Sequence, residues 1–141
     1  MRMLDVNMLV SAQRMDVEHH EPCLATVKEL LGGDEAYAVS DFVINGFVRI
    51  VTNRRIPGST TFEIARRFAD SVRNQPHAVL VHAGERHWEI FTRLCRQSGA
   101  TGNLIPDAYL AALAIEHGCE FVTCDKDFAR FEGLRWRSPL N

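Results

Sequence analysis

Four short apolar runs alternate with longer amphipathic segments, and this alternation constrains the fold more than any other feature of the chain. The runs are RMLDV (2–6), AYAVSD (36–41), AVLVHA (78–83) and CEFVTC (119–124). Each is long enough for a buried strand and too short for a stable helix. The segments between them carry apolar residues at helical spacing. One has Pro22 in its first turn, then Leu24, Val27, Leu30 and Leu31, and Gly32-Gly33 to stop it. A second runs through FVINGFVRIVTN, capped by Ser40 or Asp41, with Phe42, Ile44, Phe47, Val48 and Val51 as its apolar positions. A third, TTFEIARRFADSVRNQ, is expected to turn Phe62, Ile64, Ala65, Phe68 and Val72 inward and its arginines outward. ERHWEIFTRLCRQSG closes at Gly99, and IPDAYLAALAIEHG has Pro106 near its start and Gly118 just past its end. DKDFARF reads as a turn or short helix and LRWR as a terminal strand. Strand–helix alternation of this kind predicts an α/β fold with a central, mostly parallel sheet and helices on both faces. No linker or repeat divides the chain, so residues 1–141 are expected to form a single domain.

Bulk properties narrow the function classes. A chain of 141 residues can bury about two thirds of its unfolded surface. It has no run of 18 apolar residues and no small-residue cleavage site after its N-terminal apolar stretch, so no membrane span is expected and a cytoplasmic address is. Cys23, Cys95, Cys119 and Cys124 form neither a CxxC nor a zinc spacing, which points to reduced, mostly buried thiols. The adjacent His19 and His20, and His82 and His87 five apart, are not placed to share a zinc ion. Trp88 and Phe91 read as core or interface residues. The net charge of −2 announces no polyanionic partner, but Lys28 and Lys126 are the only lysines among 16 basic residues. Six arginines fall between Arg49 and Arg73 against only Glu63 and Asp70. The planar guanidinium fork suits phosphate, and Arg54 and Arg55, in a loop built on Pro57-Gly58, are candidate contacts to a nucleic-acid backbone.

The acids carry the chemistry. Sites in open parallel sheets form outside the carboxyl ends of the strands. Asp5 ends the first predicted strand, Asp125 the fourth, and Asp107 opens the clearest helix. Taken singly, Asp107 and the neighbouring Asp127 could be helix caps and Asp5 an ordinary strand-end residue; the constellation of Asp5, Asp107 and Asp125 is what counts. Together they form a carboxylate set without Cys or His, which favours the hard cations Mg2+ and Mn2+ and the metal-assisted hydrolysis of a phosphodiester.

With these residues in view, MLDVN, SDFVINGFVRIVTNRRI, IPDAYLAALAIEHG and FVTCDKDFARFEGLRW resemble the PIN-domain family, and within it the VapC-type ribonuclease toxins. The resemblance covers essentially the whole chain. It implies an α/β/α sandwich, a Mg2+- or Mn2+-dependent endoribonuclease acting on RNA, a homodimer, and inhibition by a cognate antitoxin, a small DNA-binding protein. Carried over by position, Asp5, Asp107 and Asp125 match the first, third and fourth metal-binding acids, and Asn7 and Thr123 match their polar neighbours. The second acid departs from the pattern: Gly46 stands near the usual glutamate, no glutamate lies between Glu35 and Glu63, and Asp41 is the nearest acid. That gap motivates an alternative, a PIN-like module that binds RNA or a partner with weak or lost nuclease activity. Rival phosphatase and receiver readings fare worse. The first needs a second aspartate where Asn7 stands, and the second an aspartate ending the third strand, where AVLVHA has none.

Overall fold

The computed structural model describes residues 1–140. The chain runs β1 (Arg2–Leu4), α1 (Val6–Gln13), α2 (His20–Gly32), β2 (Tyr37–Val39), α3 (Asp41–Val51), α4 (Phe62–Arg73), β3 (Ala78–Leu80), α5 (His87–Ser98), α6 (Leu104–Glu116), β4 (Glu120–Val122), a 3-10 turn (Lys126–Arg130) and β5 (Trp136–Arg137). The strands form one sheet in the order β3-β2-β1-β4-β5, and every described pairing is parallel. From β1 the chain first steps outward through β2 and β3, then returns to the other side of β1 for β4 and β5. The order therefore reverses between β1 and β4, where helices leave the sheet in divergent directions and open a crevice.

The three central strands are apolar because helices cover them: Met3, Leu4, Phe121, Val122 and all of β2 are buried, whereas Val79 and Leu80 on the edge strand β3 are exposed. Helix α6 buries Ala108, Ala111, Ala112 and Ala114 beside Leu110 and Leu113. Its small side chains let neighbours approach from several sides, which explains an alanine-rich body with little amphipathic contrast. Gly118 just beyond α6, at φ +66°, and Gly99 after α5, at φ +68°, take the left-handed conformation that ends each helix. The four cysteines are free, with Cys23 Sγ 3.4 Å from Cys124 Sγ. Burial pushes the Cys124 thiol up to about 12. No helix among the described residues is long and apolar enough to cross a membrane.

Several local expectations are corrected. The first strand, expected to end at Asp5, stops one residue earlier: β1 ends at Leu4, and α1, unanticipated, starts at Val6. Asp5 makes the break, since its extended backbone and its side chain, accepting from Val6 N, form a helix N-cap. Of the two caps left open for α3, Ser40 is the one used, accepting from Phe42 N. On α3 the buried stripe is Val43, Phe47 and Val51, leaving Phe42 exposed. On α4 the buried stripe is Ala65, Ala69 and Val72, and Phe62 and Ile64 lie off it, 58% and 47% exposed. Small residues on that stripe bring α4 close to its neighbours, and the bulky first-turn side chains are left outside. Trp88 is 71% exposed and so is no core residue.

Candidate active site

The crevice between β1 and β4 is tied together by one hydroxyl. Thr123, fully buried beyond the end of β4, donates its Oγ1 proton to Asp5 Oδ2 at 2.7 Å. The same oxygen accepts from Asn7 Nδ2 at 3.2 Å and from Asp125 N at 3.0 Å, so its one donor and two acceptor positions are all used. Asn7, in the first turn of α1, also donates to Asp5 Oδ2 at 3.1 Å and accepts from Cys124 N at 3.3 Å. Asp5 Oδ1 accepts from Val6 N at 2.7 Å. The two polar neighbours named from sequence thus fix the Asp5 carboxylate and join it to the segment leading into Asp125.

Asp5, Asp107 and Asp125 all line one cleft of about 800 Å3 at this crevice. Asp107 sits on the fourth residue of α6, makes no capping hydrogen bond, and takes none from other described residues, so the helix-cap alternative does not account for it. Asp125, with Oδ1 accepting from Asp127 N at 2.9 Å, caps the 3-10 turn. The cap expected of Asp127 therefore belongs to Asp125. Asp127 is exposed, is not among the cleft residues, and approaches Arg130 at 3.8 Å.

Burial and mutual repulsion strain this arrangement electrostatically. Desolvation raises Asp5 to about 6; hydrogen bonds from Thr123 and Val6 oppose that rise, and the Asp125 charge adds to it. Asp107 also reaches about 6, mainly by burial, then through the charges of Asp5, Asp125 and Asp127, with Arg130 opposing. These carboxyls are close enough to feel one another. Yet among the described residues no group of three or more His, Cys, Asp or Glu is gathered closely enough to hold a metal ion by itself. The donor chemistry is hard oxygen, and the cleft is open. That suits a cation such as Mg2+, which keeps several waters and needs only one or two carboxylates with substrate phosphate completing its shell. It does not suit zinc. His20, His77, His87 and His117 each have a ring nitrogen against a backbone carbonyl.

Helix α3 forms the wall facing the carboxylates. A Cβ at Gly46 would meet Val6 Cγ2 at 3.0 Å, so α1 fills the space beside this position and α3 sends in no glutamate. Asp41 lines the cleft, but Arg73 of α4 grips it with two hydrogen bonds at 2.8 and 3.2 Å and holds its carboxyl below the usual range. Arg66 is likewise committed to Glu63 and Asp70. Two of the six arginines between Arg49 and Arg73 are therefore already paired. Arg54 and Arg55 are exposed and outside the cleft lining. Arg49 lines the cleft, and no ion pair among the described residues engages it. Sequence reasoning missed Arg49, Asn45 and Phe42 as cleft residues. The signal was the face of α3 opposite Val43, Phe47 and Val51, where residues 42, 45, 46 and 49 follow helical spacing.

Comparison with known proteins identifies the family. The PIN domain profile matches residues 2–134. The chain belongs to the PIN-domain family, in its VapC ribonuclease branch. It is 40% identical over 139 residues to Ribonuclease VapC43 of Mycobacterium tuberculosis, covering 98% of this chain and 95% of that protein. It is 39% identical over 145 residues to Ribonuclease VapC25 of the same organism, covering 99% of each. Among solved structures, VapBC2 from Rickettsia felis, bound to a DNA fragment from its promoter, superposes with a TM-score of 0.72 at 20% identity over 97% of each chain. That likeness shows that the sheet and its helices share the fold of that chain.

Proposed function

We propose that this PIN-domain protein is a divalent-cation-dependent endoribonuclease, the toxin of a type II toxin–antitoxin pair, with Asp5, Asp107 and Asp125 as its catalytic carboxylates. The observation that carries the reading is the convergence of these three acids, from β1, α6 and the end of β4, on one open cleft. Asp5, Asp107 and Asp125 would hold Mg2+ or Mn2+, which when bound stabilises charge developing on a phosphodiester. Thr123 and Asn7 hold Asp5 in one orientation, and buried neighbours hold Thr123, so the first carboxylate does not reorganise during the reaction. The relatives named ribonucleases support RNA as substrate. The VapBC neighbour, a toxin-like chain solved in a promoter-DNA complex, supports a DNA-binding antitoxin as partner. A homodimer is part of the same proposal.

Asp5→Asn removes the ligand charge while nearly preserving shape. It is expected to abolish cleavage of RNA by the purified protein and to relieve growth arrest on expression. Wild-type activity should vanish in excess EDTA and return with Mg2+ or Mn2+. Cleavage undiminished by either treatment refutes the assignment. A second reading, an RNA- or partner-binding module without effective nuclease activity, is favoured by Gly46 in place of an acid and by the absence, among the described residues, of three His, Cys, Asp or Glu side chains gathered to hold a metal ion. Tight RNA binding with no cleavage under any divalent cation selects it.

A further inference from the structure

Phe42 is an exposed aromatic at the edge of a carboxylate cleft, and the proposed nuclease chemistry makes no use of it. It is 41% exposed, lines the cleft, and stacks on Tyr109 with ring centroids 4.7 Å apart and planes 22° from parallel. Tyr109 is itself held from behind. Its ring lies 4.4 Å from that of the buried His87, whose Nε2 is 3.0 Å from Tyr109 O. One face of Phe42 is therefore covered by a rigid stack built from α5 and α6, and the other is left to the cleft. A ring fixed in this way loses little conformational freedom when something flat lies on it.

The charges on the same wall indicate what that is. Arg73 neutralises Asp41, so the α3 side of the cleft carries no net negative charge there, and Arg49 adds an unpaired cation. Phe42 and Arg49 are seven residues apart, about 10 Å along the helix axis. The wall thus presents an aromatic face and a phosphate-binding group side by side, opposite the three acids. We propose that this wall is a nucleotide subsite, in which Phe42, backed by Tyr109, stacks on an unpaired base of the RNA and Arg49 holds a neighbouring phosphate. It rests on RNA being what the cleft handles. Bases inside a duplex have no free face, so the subsite selects unpaired RNA, and stacking on an aromatic ring is tolerant of base identity. Phe42 and Arg49 are positioning residues in this scheme.

The test measures binding without requiring turnover. In the Asp5→Asn background, a fluorescent random-sequence RNA octamer is compared with an octamer of abasic ribose phosphates, identical in charge but lacking bases. The parent should prefer the base-bearing probe. Phe42→Ala should weaken that probe about 5- to 100-fold and erase the preference. Phe42→Leu, which keeps the packing against Tyr109 but offers no ring face, should behave like Phe42→Ala, and Phe42→Trp should retain the preference. Arg49→Ala should weaken both probes and lower the slope of log affinity against log salt by about 0.7. The proposal is overturned if the parent does not distinguish the probes, or if folded Phe42→Ala keeps the full preference. It is also overturned if Phe42→Ala weakens only the complex with the co-expressed protein of the neighbouring reading frame, which would assign the ring to a protein partner. Wild-type cleavage is followed in parallel. Cleavage with a Phe42-independent preference removes the subsite and leaves the nuclease standing, whereas a Phe42-dependent preference without cleavage removes the nuclease and leaves the subsite.

Discussion

Without a cation, the protein should lose stability as pH rises through the range where its buried carboxyls ionise. Asp5 titrates at about 6 in the fold against 3.8 for a free side chain. Between those values the native state binds more protons than the unfolded chain, so the slope of unfolding free energy against pH is negative. The contribution is fully present below the unfolded value and is lost as pH climbs through the folded one. The gap, 6 − 3.8, is about 2 units, and at 1.36 kcal/mol per unit Asp5 alone costs about 3 kcal/mol at neutral pH. Asp107 has a shift of similar size but is less buried and coupled to Asp5, so the two titrate as a pair and the combined loss is about 3–5 kcal/mol. Asp5→Asn can still accept from Val6 N, although its amide faces the Asn7 amide, and at about pH 4 it should be less stable than wild type by about 1 kcal/mol. From about pH 4 to about pH 7.5 the variant should gain on wild type by about 3 kcal/mol and become the more stable protein. Urea denaturation in EDTA across this range measures the difference directly. Parallel stability curves for the two proteins would refute the reasoning, since they would mean that Asp5 ionises at no cost to the fold. Adding Mg2+ at the upper pH should stabilise wild type far more than Asp5→Asn.

Two further substitutions probe the α3 wall and its flank. Gly46→Ala gains about 1 kcal/mol of helix propensity but presses a methyl against the stiff, branched Val6, and should destabilise the protein by about 1 kcal/mol net. In a Val6→Ala background the same change should become stabilising, and a double-mutant cycle showing no coupling would rule out the contact. Replacing Arg54 and Arg55 together by alanine should weaken RNA binding and reduce its salt slope by about 1.4, two single-strand phosphate contacts at about 0.7 each, while leaving Mg2+ binding intact. An unchanged slope would make the 53–61 loop only a connector.

How much of this was legible in the sequence depended on whether a residue's role was local. Asp5, Asp107 and Asp125 could be placed at one end of the sheet because the strand–helix alternation fixes strand direction, and the ends of β1 and β4 then fall together. Gly99 and Gly118 announced their helix ends for a local steric reason. The helix that begins directly after Asp5 was hidden because MLDVNMLV is apolar on both sides of that residue, and an apolar run does not reveal where period two gives way to period 3.6. The free or paired state of the arginines was equally hidden. Arg73 meets Asp41 across 32 positions, and only the packing of α3 on α4 decides that. Arg49 and Phe42 were visible as residues, but their face became meaningful only once Val43, Phe47 and Val51 were known to be buried.

The hydrogen bond from Thr123 to Asp5 spans 118 positions, and β1 meets β4 across nearly the same separation. Chains grow from the N-terminus, and a contact of such high order cannot form until its second half has been made. A nascent chain carrying Asp5, α1 and even Asp107 still has no hydroxyl to orient its first carboxylate and no strand on that side of β1. The cleft therefore comes into being only after β4 and Thr123 have left the ribosome. The order of the strands thus makes the cleft a late product of folding, assembled after β1, α1 and β2 are in place.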